Sequence, residues 1–194
     1  QLLIAEKVWN KSFFQFWLTH IGHKKNFTWL VQKSDEYIIS KESVFCKPIT
    51  HHLKVLENLF QPYSEIPTQS KSYPEKIYLK RNPKRLRFVE NADEIESLVM
   101  QYGFEVIDTD ELCVADQIGL FKEVKKVIGI HGAGLTNLFF SINCIDLIEL
   151  FPPPDAGYLP FHYIMVASFK NIRYDALVGD PTKNKYSGAF LVNK

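Results

Sequence analysis

Val127–Asn137 reads VIGIHGAGLTN and continues as LFFSINCIDLIEL to Leu150. Val127, Ile128 and Ile130 form a short, largely β-branched run that reads as a buried strand. His131-Gly132-Ala133-Gly134 breaks that pattern, Leu135, Leu138 and Phe139 resume it at helical spacing, and Ile145–Leu150 is strand-like again. The stretch predicts a βαβ unit whose glycine turn opens onto a helix N-terminus. Glycines there let backbone approach a ligand closely, and the unpaired N–H groups of a helix start favour an anion. Tight βα turns also carry glycine for packing alone. Gly132-x-Gly134 is followed by Asn137, so the dinucleotide fingerprint G-x-G-x-x-G is incomplete and the turn by itself does not choose between the two uses.

The chain has 194 residues, 46% hydrophobic and 23% charged, which fits an ordinary globular chain of one or two domains. A net charge of +1 gives no support to a general nucleic-acid binder. Cys46, Cys113 and Cys144 are far apart with no C-x-x-C, which argues against a zinc site and a disulfide framework. His20 and His23 are three apart but lack a third ligand at suitable spacing, and His51-His52 point to different helix faces, so no metal is expected. No apolar run approaches the ~18 residues of a membrane span, and no signal peptide is visible.

Outward from the turn, strands and helices alternate. Ser12–Ile21 is an aromatic helix capped by Ser12 and ended by Gly22; Phe27–Val31 and Tyr37–Ile39 read as strands; Pro48 starts a helix carrying Leu53, Leu56, Leu59 and Phe60. Gln61–Pro74, with three prolines, reads as a linker. Ile77–Leu79 is then a strand. Asn91 and Glu94 resemble a capping box before a helix with Ile95, Leu98, Val99 and Tyr102 inward, stopped by Gly103. Phe104–Ile107 (strand), Ala115–Val124 (helix, with Ile118 and Phe121 inward), Tyr158–Phe169 (helix) and Ile172–Tyr174 (strand) complete the pattern. This predicts an α/β chain with a parallel, doubly wound sheet, residues 1–70 forming a short first lobe and 71–194 a second. Ligands of such sheets sit outside the carboxyl ends of the strands, where the residues after Leu79, the glycine turn and Glu149 gather.

IYLKRNPKRLRFVENADEI, the Gln of ADQIGLF, VIGIHGAGLTNLFF and DLIEL, in this order, resemble glycosyltransferase family 61. The resemblance covers about Lys76–Pro153, with a weaker echo at Ser12–Leu18. It implies a GT-B-like arrangement of two Rossmann-like lobes, and inverting, metal-independent sugar transfer from a nucleotide-sugar, usually a UDP-sugar, to a glycan or glycoprotein acceptor. No cofactor is implied beyond that donor. The family usually has Ser-Arg at the strand end, a basic cluster and Asn-Glu; here Lys80 replaces the serine, Arg81, Arg85, Arg87 and Asn91 match, and Ala92 stands where Glu is usual. In the first lobe Gln15 stands where the family often has His.

Departure of a nucleoside diphosphate builds charge on phosphate oxygens, and without a metal fixed donors must stabilise it. A guanidinium binds phosphate through two parallel hydrogen bonds, which makes Arg81 the first candidate; Arg85 and Arg87, beside Lys76, Lys80 and Lys84, are either donor contacts or a solvated face. His131 and the backbone of Gly132, Ala133, Gly134, Leu135 and Thr136 are expected under the diphosphate and sugar. His131 can donate to a phosphate or sugar hydroxyl or, protonated, assist the leaving group, so it and Arg81 are the catalytic candidates. Thr136 and Asn137 are ligands or first-turn residues, Gln117 faces the cleft or sits on its helix, Asn91 is a cap or a ligand, and Asp108, Asp110 and Glu111 flank the base or form a turn. Glu149 stands where it can accept from ribose hydroxyls. The general base is unassigned.

These readings predict a glycosyltransferase. The rival is a catalytically degenerate nucleotide- or sugar-binding module, favoured by the short first lobe and by Gln15. An α/β-hydrolase reading of HGAG fails for want of G-x-S-x-G. The compact length and lack of a signal point to the cytoplasm, at the inner membrane surface. The sequons at Asn10 and Asn26 permit a secretory lumen if an N-terminal segment is missing.

Overall fold

A computed structural model of the protein describes residues 1–22, 27–44, 52–66, 72–154, 160–183 and 188–193. Its centre is a five-stranded sheet formed by β3 (Lys76–Leu79), β4 (Glu105–Ile107), β5 (Lys126–Ile130), β6 (Asp146–Phe151) and β7 (Arg173–Val178), all parallel, in the order β4-β3-β5-β6-β7. The central runs of β3 and β5 are covered on both faces, which is why they lack a clean alternation.

On one face, α5 (Val114–Glu123), the segment Ala133–Phe140 and α6 (His162–Phe169) close over Ile77, Leu79, Val127 and Leu147. On the other, Ile95 and Val99 of α4 (Ala92–Gln101) join Phe190 and Val192 from the C-terminal end over Tyr78, Ile130 and Leu150. The doubly wound parallel sheet is therefore present, with the C-terminal segment filling the layer beside α4. Phe190 belongs to β9 (Phe190–Leu191), which pairs antiparallel with β8 (Asp180–Pro181).

Several local expectations change. The segment after the glycine turn is a 3-10 helix rather than an α-helix. Its first bond runs from Leu135 N to Gly132 O at 3.0 Å, and Leu135 and Leu138, three apart on one ridge, are both fully buried. Asn91 occupies the N-cap of α4, yet its side chain makes no cap bond. It faces the C-terminal segment, with Nδ2 donating to Val192 O at 2.9 Å and Oδ1 accepting from Val192 N at 3.1 Å. Tyr102 is exposed, while Gly103 ends that helix with φ +79°, as a left-handed stop does. Tyr37–Ile39 forms no strand, and Tyr37 and Ile39 are each 96% exposed.

Before the sheet, β1 (Leu2–Ala5) and β2 (Trp29–Gln32) form a parallel pair, with α1 (Glu6–Trp9) and α2 (Ser12–His20) packed on it. Trp9, Phe14, Trp17 and Trp29 gather there with ring centroids 5.4 to 6.1 Å apart. Helix α3 (Leu53–Ser64) carries Pro62 in its last turn, so the expected linker begins later than Gln61. The expected helix start at Pro48 lies outside the described residues, as do His23, Cys46 and His51. Among the described residues of the first 66, the buried hydrophobic side chains Ile21 and Ile66 pack with Ile118 of α5, and Phe60 of α3 stacks on Phe139 at 4.6 Å. No helix among the described residues is long and apolar enough to cross a membrane.

Candidate active site

Because β3 lies between β4 and β5, the chain reverses its progress across the sheet at the β3/β5 pair. That is where a crevice forms in an open parallel sheet. A pocket opens over these strand ends, lined by Lys80, Arg81 and Asn82 after β3, residues 108–110 after β4, residues 133–135 after β5, and Arg85.

Arg81 lies across the glycine turn. A Cβ added at Gly132 would stand 2.0 Å from Arg81 Nη1, so the turn must be glycine here for the guanidinium to occupy its place. Among the described residues Arg81 has one hydrogen bond, a long one of 3.5 Å from Nη1 to the His131 carbonyl, and its Nε is sealed from solvent without a partner. Burial, and then the guanidinium groups of Arg87 and Arg85, push its pKa below the ordinary arginine value. An arginine is protonated throughout the physiological range, so this is a partly desolvated cation with unspent donors.

The neighbouring cations are held differently. Arg85 is paired with Asp110 at 2.8 Å, at the pocket rim. Arg87 does not line the pocket, but it has φ +65°, an uncommon conformation for a residue with a Cβ, and acts electrostatically on both Arg81 and Tyr163. Asp108 is buried, and its carboxylate accepts from Asp110 N at 3.0 Å, fixing the turn that forms the pocket's far wall.

His131 continues β5, its N–H bonded to Leu150 O at 2.8 Å, and its ring is buried. The ring stacks on Phe151 at 4.9 Å and meets the edge of Tyr163 at 5.5 Å. Nδ1 is 2.5 Å from Glu149 Oε1, and Glu149 Oε2 accepts from Tyr174 OH at 2.7 Å. Glu149 is fully buried, with one oxygen against His131 and the other against Tyr174.

Gln117 is also redirected. Its Nε2 donates to Thr109 O at 3.0 Å and Leu112 O at 3.1 Å, and its Oε1 accepts from Asn137 at 3.0 Å. Gln117 and Asn137 thus strap the 3-10 segment to the turn after β4. Thr136 faces Tyr163, with 3.3 Å between hydroxyls. Arg81, Arg85, Ala133, Gly134 and Leu135 are brought to the pocket; Glu149, Gln117 and Asn137 support it from behind.

Sequence reasoning missed Asn82 as a lining residue and Tyr163 and Tyr174 as partners. Asn82 directly follows the strand-end arginine, a positional signal that was available; the tyrosines have none. Among the described residues no three His, Cys, Asp or Glu side chains gather as metal ligands would.

A parallel α/β sheet with a cationic pocket at its reversal point defines the class. The chain belongs to the glycosyltransferase 61 family, whose profile matches residues 14–148. An alpha-1,3-arabinosyltransferase of rice, Oryza sativa subsp. japonica, is 39% identical to it over 83 residues, 41% of this chain. The matched region spans 14% of the length of that relative. Arg81 and His131 lie inside the family match, and Glu149 and Tyr174 beyond its end.

Proposed function

We propose that the pocket holds the diphosphate of a nucleotide-sugar, a UDP-sugar, and that this chain is the donor-binding part of a glycosyltransferase acting on a glycan or protein acceptor. The observation that carries this reading is Arg81, a partly buried guanidinium with unspent donors, laid across a glycine turn at the sheet's reversal point. The amides of Ala133 and Gly134 precede the first bond of the 3-10 segment and border the same pocket.

In this reading the sugar leaves with inversion as an acceptor oxygen attacks the anomeric carbon. The electrons of the breaking bond pass to the diphosphate, where Arg81 meets the growing charge. Because the cation is already in place, no reorganisation is needed at that moment, which supports a metal-independent reaction; the arrangement proposed is GT-B-like. The base that takes the acceptor's proton is supplied from the facing lobe. UDP-arabinose is the first donor to test, since the rice relative is named for arabinosyl transfer.

One observation favours the rival module. Gln15, in the place where the family often has His, donates to Trp9 O at 2.6 Å and so ties α2 to α1. Thermal melting with UDP, GDP, NAD and buffer tests both readings, because a ligand that binds the folded state raises the midpoint. A shift with UDP that Arg81→Ala abolishes supports the donor site, and UDP binding without donor hydrolysis or transfer supports the module. No shift with any nucleotide removes the donor reading.

A further inference from the structure

We infer that Glu149 and Tyr174 are positioning residues that hold the proton of neutral His131 on Nδ1, so that Nε2 presents a lone pair to a hydroxyl of the donor sugar. This rests on the donor-site reading for the identity of the hydroxyl, while the tautomer rests on the Tyr174–Glu149–His131 hydrogen-bond chain with Glu149 as a carboxylate.

The hydrogen bonds around Glu149 favour one place for the proton. Tyr174 OH is 2.7 Å from Glu149 Oε2, and burial followed by the bond to Glu149 raises the phenol's pKa well above its ordinary value, so Tyr174 is a donor here. Glu149 is fully buried, and its other oxygen is 2.5 Å from His131 Nδ1. An ionised carboxylate only accepts, so a neutral imidazole against it must carry its hydrogen on Nδ1. Nε2 is then an acceptor, and no described residue bonds to it.

The side chain is only 8% exposed, between Phe151 and Tyr163, with His162 beyond at 6.4 Å. Arg81 Nε is the buried unpartnered side-chain atom among the described residues, and Nε2 is not one, so Nε2 is reached from solvent and stands open to a hydroxyl donor. Phosphate oxygens at neutral pH only accept, so they do not satisfy it, whereas a sugar hydroxyl donates. Arg81, whose Nη1 touches the His131 carbonyl, takes the phosphate on the other side of the same residue. Residue 131 thereby divides the donor into its anionic and hydroxylic parts.

The test is nitrogen NMR of histidine-labelled protein at about pH 8.5, above the ordinary imidazole range, with His131 assigned by comparison with His131→Asn. The expected spectrum has a protonated Nδ1 and an unprotonated Nε2. In Glu149→Gln the amide donates to Nδ1, and the proton moves to Nε2. A wild-type Nε2 that carries a proton overturns the proposal, whether on a neutral or a charged ring. If Glu149→Gln does not fold, Tyr174→Phe, which frees Glu149 Oε2, is expected to raise the share of protein with a proton on Nε2; an unchanged spectrum overturns the role of Tyr174.

A second readout separates position from mere structure. Glu149→Gln is expected to weaken UDP-arabinose and UDP-xylose binding about tenfold while UDP binding stays unchanged. Equal losses for UDP and the UDP-sugars, or no loss for any, remove the hydroxyl assignment. Failure of wild-type protein to bind UDP overturns the donor site and leaves the nitrogen spectrum to decide the tautomer.

Discussion

Gly132→Ala is expected to weaken UDP binding without unfolding the protein, and only through Arg81. The new Cβ lies 2.0 Å from Arg81 Nη1 and 3.3 Å from Cζ, so the guanidinium must retreat by about 1.5 Å to reach an ordinary contact of about 3.5 Å. Gly132 has extended backbone (φ 162°) that alanine adopts freely, and the clashing atom is the far end of a flexible side chain. The fold therefore yields cheaply, by no more than about 1 kcal/mol. Binding does not: a misplacement of about 1 Å at a reacting group costs roughly a hundredfold, or about 2.7 kcal/mol. Arg81→Ala removes charge-assisted hydrogen bonds worth about 1.5–3 kcal/mol, a similar loss. With UDP at about a hundred times Kd, the wild-type midpoint rises by roughly 5–10 °C; after a hundredfold loss the same concentration gives about 1–2 °C. The decisive comparison is the cycle. Gly132→Ala added to Arg81→Ala is expected to change UDP affinity no further, because the only group it displaces is gone. Additive losses, or wild-type affinity in Gly132→Ala, refute the account of Arg81.

Gln117→Ala loses two bonds to backbone carbonyls and strands Asn137 Nδ2, so urea denaturation is expected to show a loss of about 1–3 kcal/mol. UDP affinity should fall far less than in Arg81→Ala; the reverse ranking would return Gln117 to the pocket. Asn91→Ala cuts both bonds to Val192 and is expected to speed amide exchange around residue 190 more than within β5, whereas uniform change across the sheet would deny Asn91 its role as the C-terminal fastener. Stability should also fall in alkali. Burial pushes the Cys144 thiol up from 9.0 to about 11, and raises Tyr63 and Tyr73 from 10.0 to about 12. The unfolded chain releases these protons first, so stability is full below about pH 9 and is lost as pH rises through about 11 to 12. Equal urea midpoints at about pH 8 and about pH 10.5 would contradict that coupling.

The strands and helices were legible because buried β-branched runs and apolar stripes are local signals. The 3-10 winding of Ala133–Phe140 was not, since Leu135 and Leu138 are three apart and fit either period. Arg81 was legible as a strand-end cation, and the sheet order then supplied its partner wall from β4. Glu149 was legible as a residue near the end of its strand, but its two partners, His131 and Tyr174, were not. Its orientation depends on the register that sets Leu147 beside Tyr174 and Glu149 beside Ala176, a pairing across some 25 residues that no local pattern encodes. Asn91 does sit at the N-cap of α4 with Nδ2 donating to Glu94 Oε2 at 3.1 Å, but its bonds to Val192, 101 positions away, had no local signal.

The stack of Phe60 on Phe139 gives the glycine turn a lever. At about 2 Å per residue the eight-residue 3-10 segment is a stiff arm of roughly 16 Å. Its near end is the turn beneath Arg81, and its far end is gripped by α3 through parallel rings. A tilt of α3 would therefore load this arm at its far end, with Gln117 and Asn137 pinning it midway to the turn after β4. The first sixty residues are thus joined, through one ring pair, to the segment that borders the pocket.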